Sequence, residues 1–106
     1  MSNKTDYTEN QKQIARFAKA MSHPARVYIL EKLAKMNSCC YSGDIVNELN
    51  IGRSSLSQHL KELKLAGLIQ GETEAPFIKY CINRENWDLA RCFFNNIFEF
   101  ETNGQC

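Results

Sequence analysis

Six consecutive positions, 54 to 59, read "SSLSQH": three serines, a glutamine and a histidine around a single leucine. The leucines of this stretch keep helical time, with Leu56, Leu60 and Leu63 at i, i+4 and i+7. Serine is a mediocre helix former, and an exposed helix face more often carries Glu, Lys or Ala. The chemistry that suits short hydroxyl and amide side chains at the start of a helix is close approach to another hydrogen-bonding surface. Phosphates and base edges are such a surface. Arg53 precedes the cluster, and Lys61 and Lys64 follow it against one acid, Glu62. Ser54, Ser55, Ser57 and Gln58, with Arg53, Lys61 and Lys64, are therefore candidate nucleic-acid contacts.

The second reactive group is sulfur. Cysteines stand at 39, 40, 81, 92 and 106 of a 106-residue chain. Thiolates bind soft ions and are open to oxidation. The adjacent Cys39 and Cys40 are the candidate pair for As(III) or another thiophilic ion. A third thiolate would come from elsewhere, with Cys92 on the polar stripe of the last helix and Cys106 at the C-terminus as the choices. Cys81 sits in an alternating apolar stretch and is expected to serve packing. Oxidation is expected to join Cys39 or Cys40 to Cys92 or Cys106. No Cys-x-x-Cys at a helix start, no Ser/His/Asp set and no glycine-rich phosphate loop accompanies these thiols, so the chain does not read as an enzyme.

The elements that must position these groups follow from the hydrophobic periods. "TENQ" has the Thr-to-Gln spacing of a capping box and opens a first helix, about 8–21. His23 and Pro24 restart the chain, with Val27, Leu30, Leu33 and Ala34 as the buried stripe of a second helix. Ser42 is placed to cap a short helix with Ile45, Val46 and Leu49 inward. "NIGR" makes a tight turn into the serine-rich helix, and Gly67 is suited to end it. "LIQGETEAPFIKYCI" reads as two strands around Ala75-Pro76, and Asn83 caps a last helix, about 84–100. The expected fold is mainly α with a small β-hairpin: a helix-turn-helix of five helices and a two-stranded hairpin, in one domain over residues 1–106.

The last helix is apolar over half its circumference, through Trp87, Leu89, Ala90, Phe93, Phe94, Ile97, Phe98 and Phe100. A helix lying on one small core needs a stripe of only about 100°. The excess implies a second buried surface, and a symmetric dimer is the simplest one; coverage by the first helix is the alternative. Net charge is +1, made of +4 over residues 1–36, zero over 37–71 and −3 over 72–106. Anion binding must therefore be local. There is no apolar run of about 20 residues and no signal-peptide core, so a cytoplasmic location without membrane contact and with reduced thiols is expected.

The stretches "AMSHPARVYILEKL" and "DIVNELNIGRSSLSQHLKELKLAGLI" carry a resemblance. Residues 54–68, "SSLSQHLKELKLAGL", fit the pattern S-x-x-S-x-H-L-K-x-L-x-x-A-G-L, and the chain resembles the ArsR/SmtB family of winged helix-turn-helix repressors over roughly residues 10 to 100. The resemblance implies a homodimer built on the first and last helices, with Ile14, Phe17, Trp87, Phe94, Ile97 and Phe98 as interface residues. It implies double-stranded operator DNA as partner, His59 as a recognition-helix residue that contacts DNA or supports the helix, and repression relieved by an effector. The family's zinc-type site on the last helix needs an Asp-x-His pair and a later His; here Asp88 is followed by Ala90, and no histidine follows His59. The family's Cys-x-Cys positions before the short helix hold Tyr41 and Gly43, with Cys39 and Cys40 just upstream. A thiol-reactive effector, either metalloid or soft metal or oxidant, is the expectation. The alternative is a winged-helix regulator or protein-interaction module with no metal or redox inducer. The wing departs from the basic wings of the family, since it carries Glu72 and Glu74 near its tip and only Lys79 as a cation.

Overall fold

The computed structural model of the chain describes residues 6–36, 39–74 and 76–101. Its elements run α1 (Glu9–Ala20), α2 (Pro24–Met36), β1 (Cys40–Tyr41), α3 (Ser42–Glu48), α4 (Arg53–Leu65), β2 (Ile69–Glu74), β3 (Phe77–Ile82) and α5 (Arg84–Phe98). The fold is mostly helical with an antiparallel hairpin. The sheet has one strand more than the sequence suggests, in the order β1-β3-β2. Strand β1 is only two residues long, too short to show a period, and pairs Cys40 with Tyr80 and Tyr41 with Lys79.

Local signals in the sequence account for most boundaries. Thr8 and Gln11 close a capping box, the Gln11 amide donating to Thr8 Oγ1 at 3.0 Å and the Thr8 amide to Gln11 Oε1 at 2.9 Å. Asn83 caps α5 by accepting from the Asn86 amide at 3.1 Å. Gly67 ends α4 with φ +85°, where the Leu68 amide donates to Leu63 O at 3.1 Å and the Gly67 amide to Lys64 O at 2.9 Å. That is the Schellman pair, and only glycine adopts its left-handed residue without strain. Asn86 Nδ2 then bonds Gly67 O at 2.8 Å, fixing the start of α5 on the end of α4.

Two helix readings need correction. Ser42 is the first residue of α3 and not its cap; Tyr41 holds the cap position without a side-chain capping bond, because β1 pairing carries the backbone straight into the helix. In α2 the buried residues are Ala25, Ile29, Leu30 and Leu33, whereas Val27 and Ala34 are exposed. Apolar residues lie on several sides of α2, so its buried stripe is not set by periodicity alone.

One core holds the elements together: Phe17, Ile29, Leu33, Ile45, Leu63, Leu68 and Ile69 are each under 2% exposed. Leu56, Leu60 and Leu63 anchor α4 to it, as their spacing predicts. A polar bracket ties α3 to α2, with the Glu48 carboxylate paired to Lys32 and accepting from the Tyr28 hydroxyl at 2.5 Å. The Lys32 bond, and after it the Tyr28 bond, holds the Glu48 pKa below the ordinary carboxylate range.

Candidate nucleic-acid interface

Helices α3 and α4 meet across the Leu49–Gly52 turn, and α4 stands in the position of a recognition helix. Its leucine face is buried, and the opposite face presents Arg53, Ser54, Ser55, Ser57, Gln58 and Lys61 to solvent. Gly52 is its N-cap and makes no side-chain cap bond. The first-turn amides are thus left for an outside acceptor. Among the described residues, Arg53, Ser54, Ser55, Ser57 and Lys61 make no side-chain hydrogen bond or ion pair within the chain. Gln58 is the exception: its amide donates to Glu62 Oε2 at 2.9 Å, one turn on.

Two of the sequence candidates lie apart from this group. Lys64 is exposed at the far end of α4, with its ammonium over Gly71 of β2, 3.5 Å from where a Cβ would stand. His59 is half-buried and turned toward α2. Its Nδ1 accepts from Arg26 Nε at 3.0 Å, and its ring lies 4.4 Å from that of His23. His59 on this geometry positions α4 and is not among the outward-facing contacts, because the angle it occupies on the helix faces α2. His23 in turn accepts from the Ala25 amide at 3.0 Å and so caps α2. The Arg26 bond had no local sequence signal, since its partners are 33 residues apart.

Burial, and after it the electrostatic influence of the neighbouring His23 and Arg26, lowers the His59 pKa from its ordinary value of 6.5. The folded chain therefore favours neutral His59, as an accepting Nδ1 requires. A pKa depressed by folding gives stability that is complete above the unfolded value and is lost as pH falls. We expect the free energy of unfolding to decline from about pH 6.5 downward. The decline should be shallower in His59→Gln, as read by urea denaturation at a series of pH values.

The sulfurs are arranged differently from the sequence reading. Cys39 is joined to Cys81, with the two Cα atoms 4.4 Å apart. Continuing the β1–β3 register by one residue puts 39 opposite 81, and directly opposed residues at a non-hydrogen-bonded position come this close. Cys81, expected to serve only packing, is thus the partner, and Cys39 is not a reduced thiol here. Cys92 is free and exposed, with Asn96 Nδ2 3.9 Å from its sulfur. Cys106 and the thiol of Cys40 fall outside the described residues. Glu72 of β2 stands beside the Cys39–Cys81 pair, and their donor atoms lie within 4.8 Å of one another.

The predicted interface residues divide as well. Phe17 is wholly buried in the protomer's own core and cannot touch a partner. Trp87 and Phe94 are half-buried against that core, Ile14 is half-buried, and Ile97 and Phe98 are exposed. Helix α1 packs on α5, yet Leu89, Ile97, Phe98 and Phe100 stay exposed, Phe98 at 79% and Phe100 at 82%. Among the described residues no helix is long and apolar enough to cross a membrane.

Comparison with known proteins places this architecture. The family description "Bacterial regulatory protein, arsR family" matches residues 23–70, from His23 through α4 to the start of the wing. The HTH-type transcriptional regulator YgaV of Escherichia coli (strain K12) is 31% identical over 86 residues, covering 81% of this chain and 86% of the relative. The transcriptional repressor SdpR of Bacillus subtilis (strain 168) is 38% identical over 65 residues, covering 61% of this chain and 70% of the relative. A homodimeric winged helix-turn-helix DNA-binding domain from Mycobacterium bovis superposes with a TM-score of 0.67 at 28% identity, covering 89% of this chain and 84% of that one. With the helix-turn-helix, the wing and the serine-rich α4 in the same order, the chain belongs to the arsR family of bacterial regulatory proteins.

Proposed function

We propose that the protein is a dimeric, sequence-specific DNA-binding repressor, one domain over residues 1–106, that is released from its operator by thiol chemistry. The observation that carries this reading is the outer face of α4. Among the described residues its serines make no side-chain bond within the chain, and the leucines behind them fix the helix on the core. Arg53 and Lys61 supply phosphate contacts, and Ser54, Ser55, Ser57 and Gln58 reach phosphates and base edges in the major groove. Helices α1 and α5 form the dimer interface, since among the described residues Phe98 and Phe100 beyond Phe94 stay largely exposed. The acidic wing, with Glu72 exposed, contributes little to phosphate contact.

The thiol part of the reading is supported by the linked Cys39–Cys81 pair. Disulfides in cytoplasmic proteins are usually transient and redox-sensing, and a cytoplasmic location goes with an operator-binding role. The test is a gel-shift titration on DNA from the protein's own promoter, repeated with As(III), Cd(II) and a peroxide. The expected result is a specific complex formed by the reduced protein and lost with at least one of these agents. No specific complex under any condition would leave a protein-interaction module. A complex indifferent to every agent would leave a repressor without a thiol inducer.

A further inference from the structure

We propose that Cys39, Glu72 and Cys81 form a redox-gated site for a thiophilic divalent cation at the root of the wing; its role as an effector site, though not its existence, rests on the repressor reading above. The three donor atoms lie within 4.8 Å of one another. They border a cavity of about 480 Å³ between the C-terminal half of α2, the wing and the start of α5. A tetrahedral ion with metal–sulfur bonds of about 2.3 Å holds two thiolates about 3.8 Å apart. Opposed strand residues with Cα atoms 4.4 Å apart can span that distance once the sulfurs are no longer bonded. Glu72 is exposed and supplies a third, oxygen ligand from the neighbouring strand, leaving the fourth position to water. Two thiolates favour soft cations over Mg(II) or Ca(II).

The disulfide and the ion exclude each other. A dithiol reductant delivers two electrons and two protons to the Cys39–Cys81 bond and itself becomes the disulfide. The sulfur–sulfur bond breaks and two thiols form. The cation then displaces both thiol protons and binds the two thiolates. The two closed states differ in reach: the disulfide ties Cys39 to β3 alone, whereas the ion also draws in β2 through Glu72. Cys39 lies three residues before α3, the helix that supports α4. The state of this site is thereby passed to the reading helix.

The experiment uses the full-length protein, either reduced by a dithiol that is then removed or left oxidised. It is titrated with Cd(II), and the ultraviolet charge-transfer band of a cadmium thiolate is followed. The reduced protein should bind one Cd(II) per protomer at this site, and the oxidised protein none. Cys39→Ser and Cys81→Ser should abolish the band. Glu72→Gln, an exposed change that leaves the core intact, should keep the band but weaken Cd(II) affinity about 10-fold. A full band in Cys81→Ser, or unchanged affinity in Glu72→Gln, overturns the site. The same samples on operator DNA separate the two ideas. Cd(II) bound at this site without a change in DNA affinity upholds the site and removes its role as an effector site. Normal Cd(II)-driven release from Cys81→Ser upholds the thiol-release reading and assigns the effector role to other thiols, overturning that role for this site.

Discussion

Replacing Phe98 with Asp should convert the dimer to a monomer at micromolar concentration while leaving the protomer folded. Phe98 is 79% exposed on the protomer, so the charge enters no part of its own core. In the proposed interface it would be buried without a partner, at a cost of roughly 3–5 kcal/mol. That corresponds to a dissociation constant raised by two to three orders of magnitude or more. Phe94 is a poorer place for the same test, because it already packs against the protomer core. Sedimentation velocity reads the mass, and urea unfolding checks that the monomer keeps a cooperative core. A Phe98→Asp protein that sediments as the wild-type dimer would place the interface elsewhere.

The second large effect concerns sequence preference. Ser57→Ala and Gln58→Ala together should cut the ratio of operator to random-DNA affinity by about 30-fold or more, since each lost base contact costs about 1–3 kcal/mol. Lys61→Ala should weaken both DNAs alike and make the slope of log K against log salt shallower by about 1.8, one phosphate contact being lost from each protomer. Glu62→Ala makes a useful contrast. It frees the Gln58 amide from its bond to Glu62 and removes the one acid near the reading face, so affinity should rise. If none of the α4 variants changed either DNA affinity, α4 would not be the reading helix.

What the sequence discloses and what it hides divide along the range of the interactions. The Thr8–Gln11 box, the Asn83 cap and the Gly67 terminus are each decided within a few residues, and each is found where the local pattern puts it. The leucine face of α4 is legible for the same reason. Phe17 is a harder case. Periodicity says that it is apolar and on one face, but not whether that face meets its own core or a second copy. The same ambiguity misplaces Val27 on α2. Cys81 is hidden more deeply. Its link to Cys39 depends on a two-residue strand pairing across 42 positions, and neither end carries a turn or a period that announces it. The Arg26–His59 bond is equally non-local, and so the local pattern leaves His59 open between DNA contact and helix support, where the fold turns it toward α2.

The central claim is that two copies of α4 enter successive major grooves on one face of the DNA. Hydroxyl-radical footprinting of the reduced protein on its own promoter tests it most directly. Two symmetric protected patches are expected, with centres about one helical turn, ~34 Å, apart, and both should be lost in Phe98→Asp at the same protein concentration. A single protected patch that Phe98→Asp leaves unchanged would contradict it.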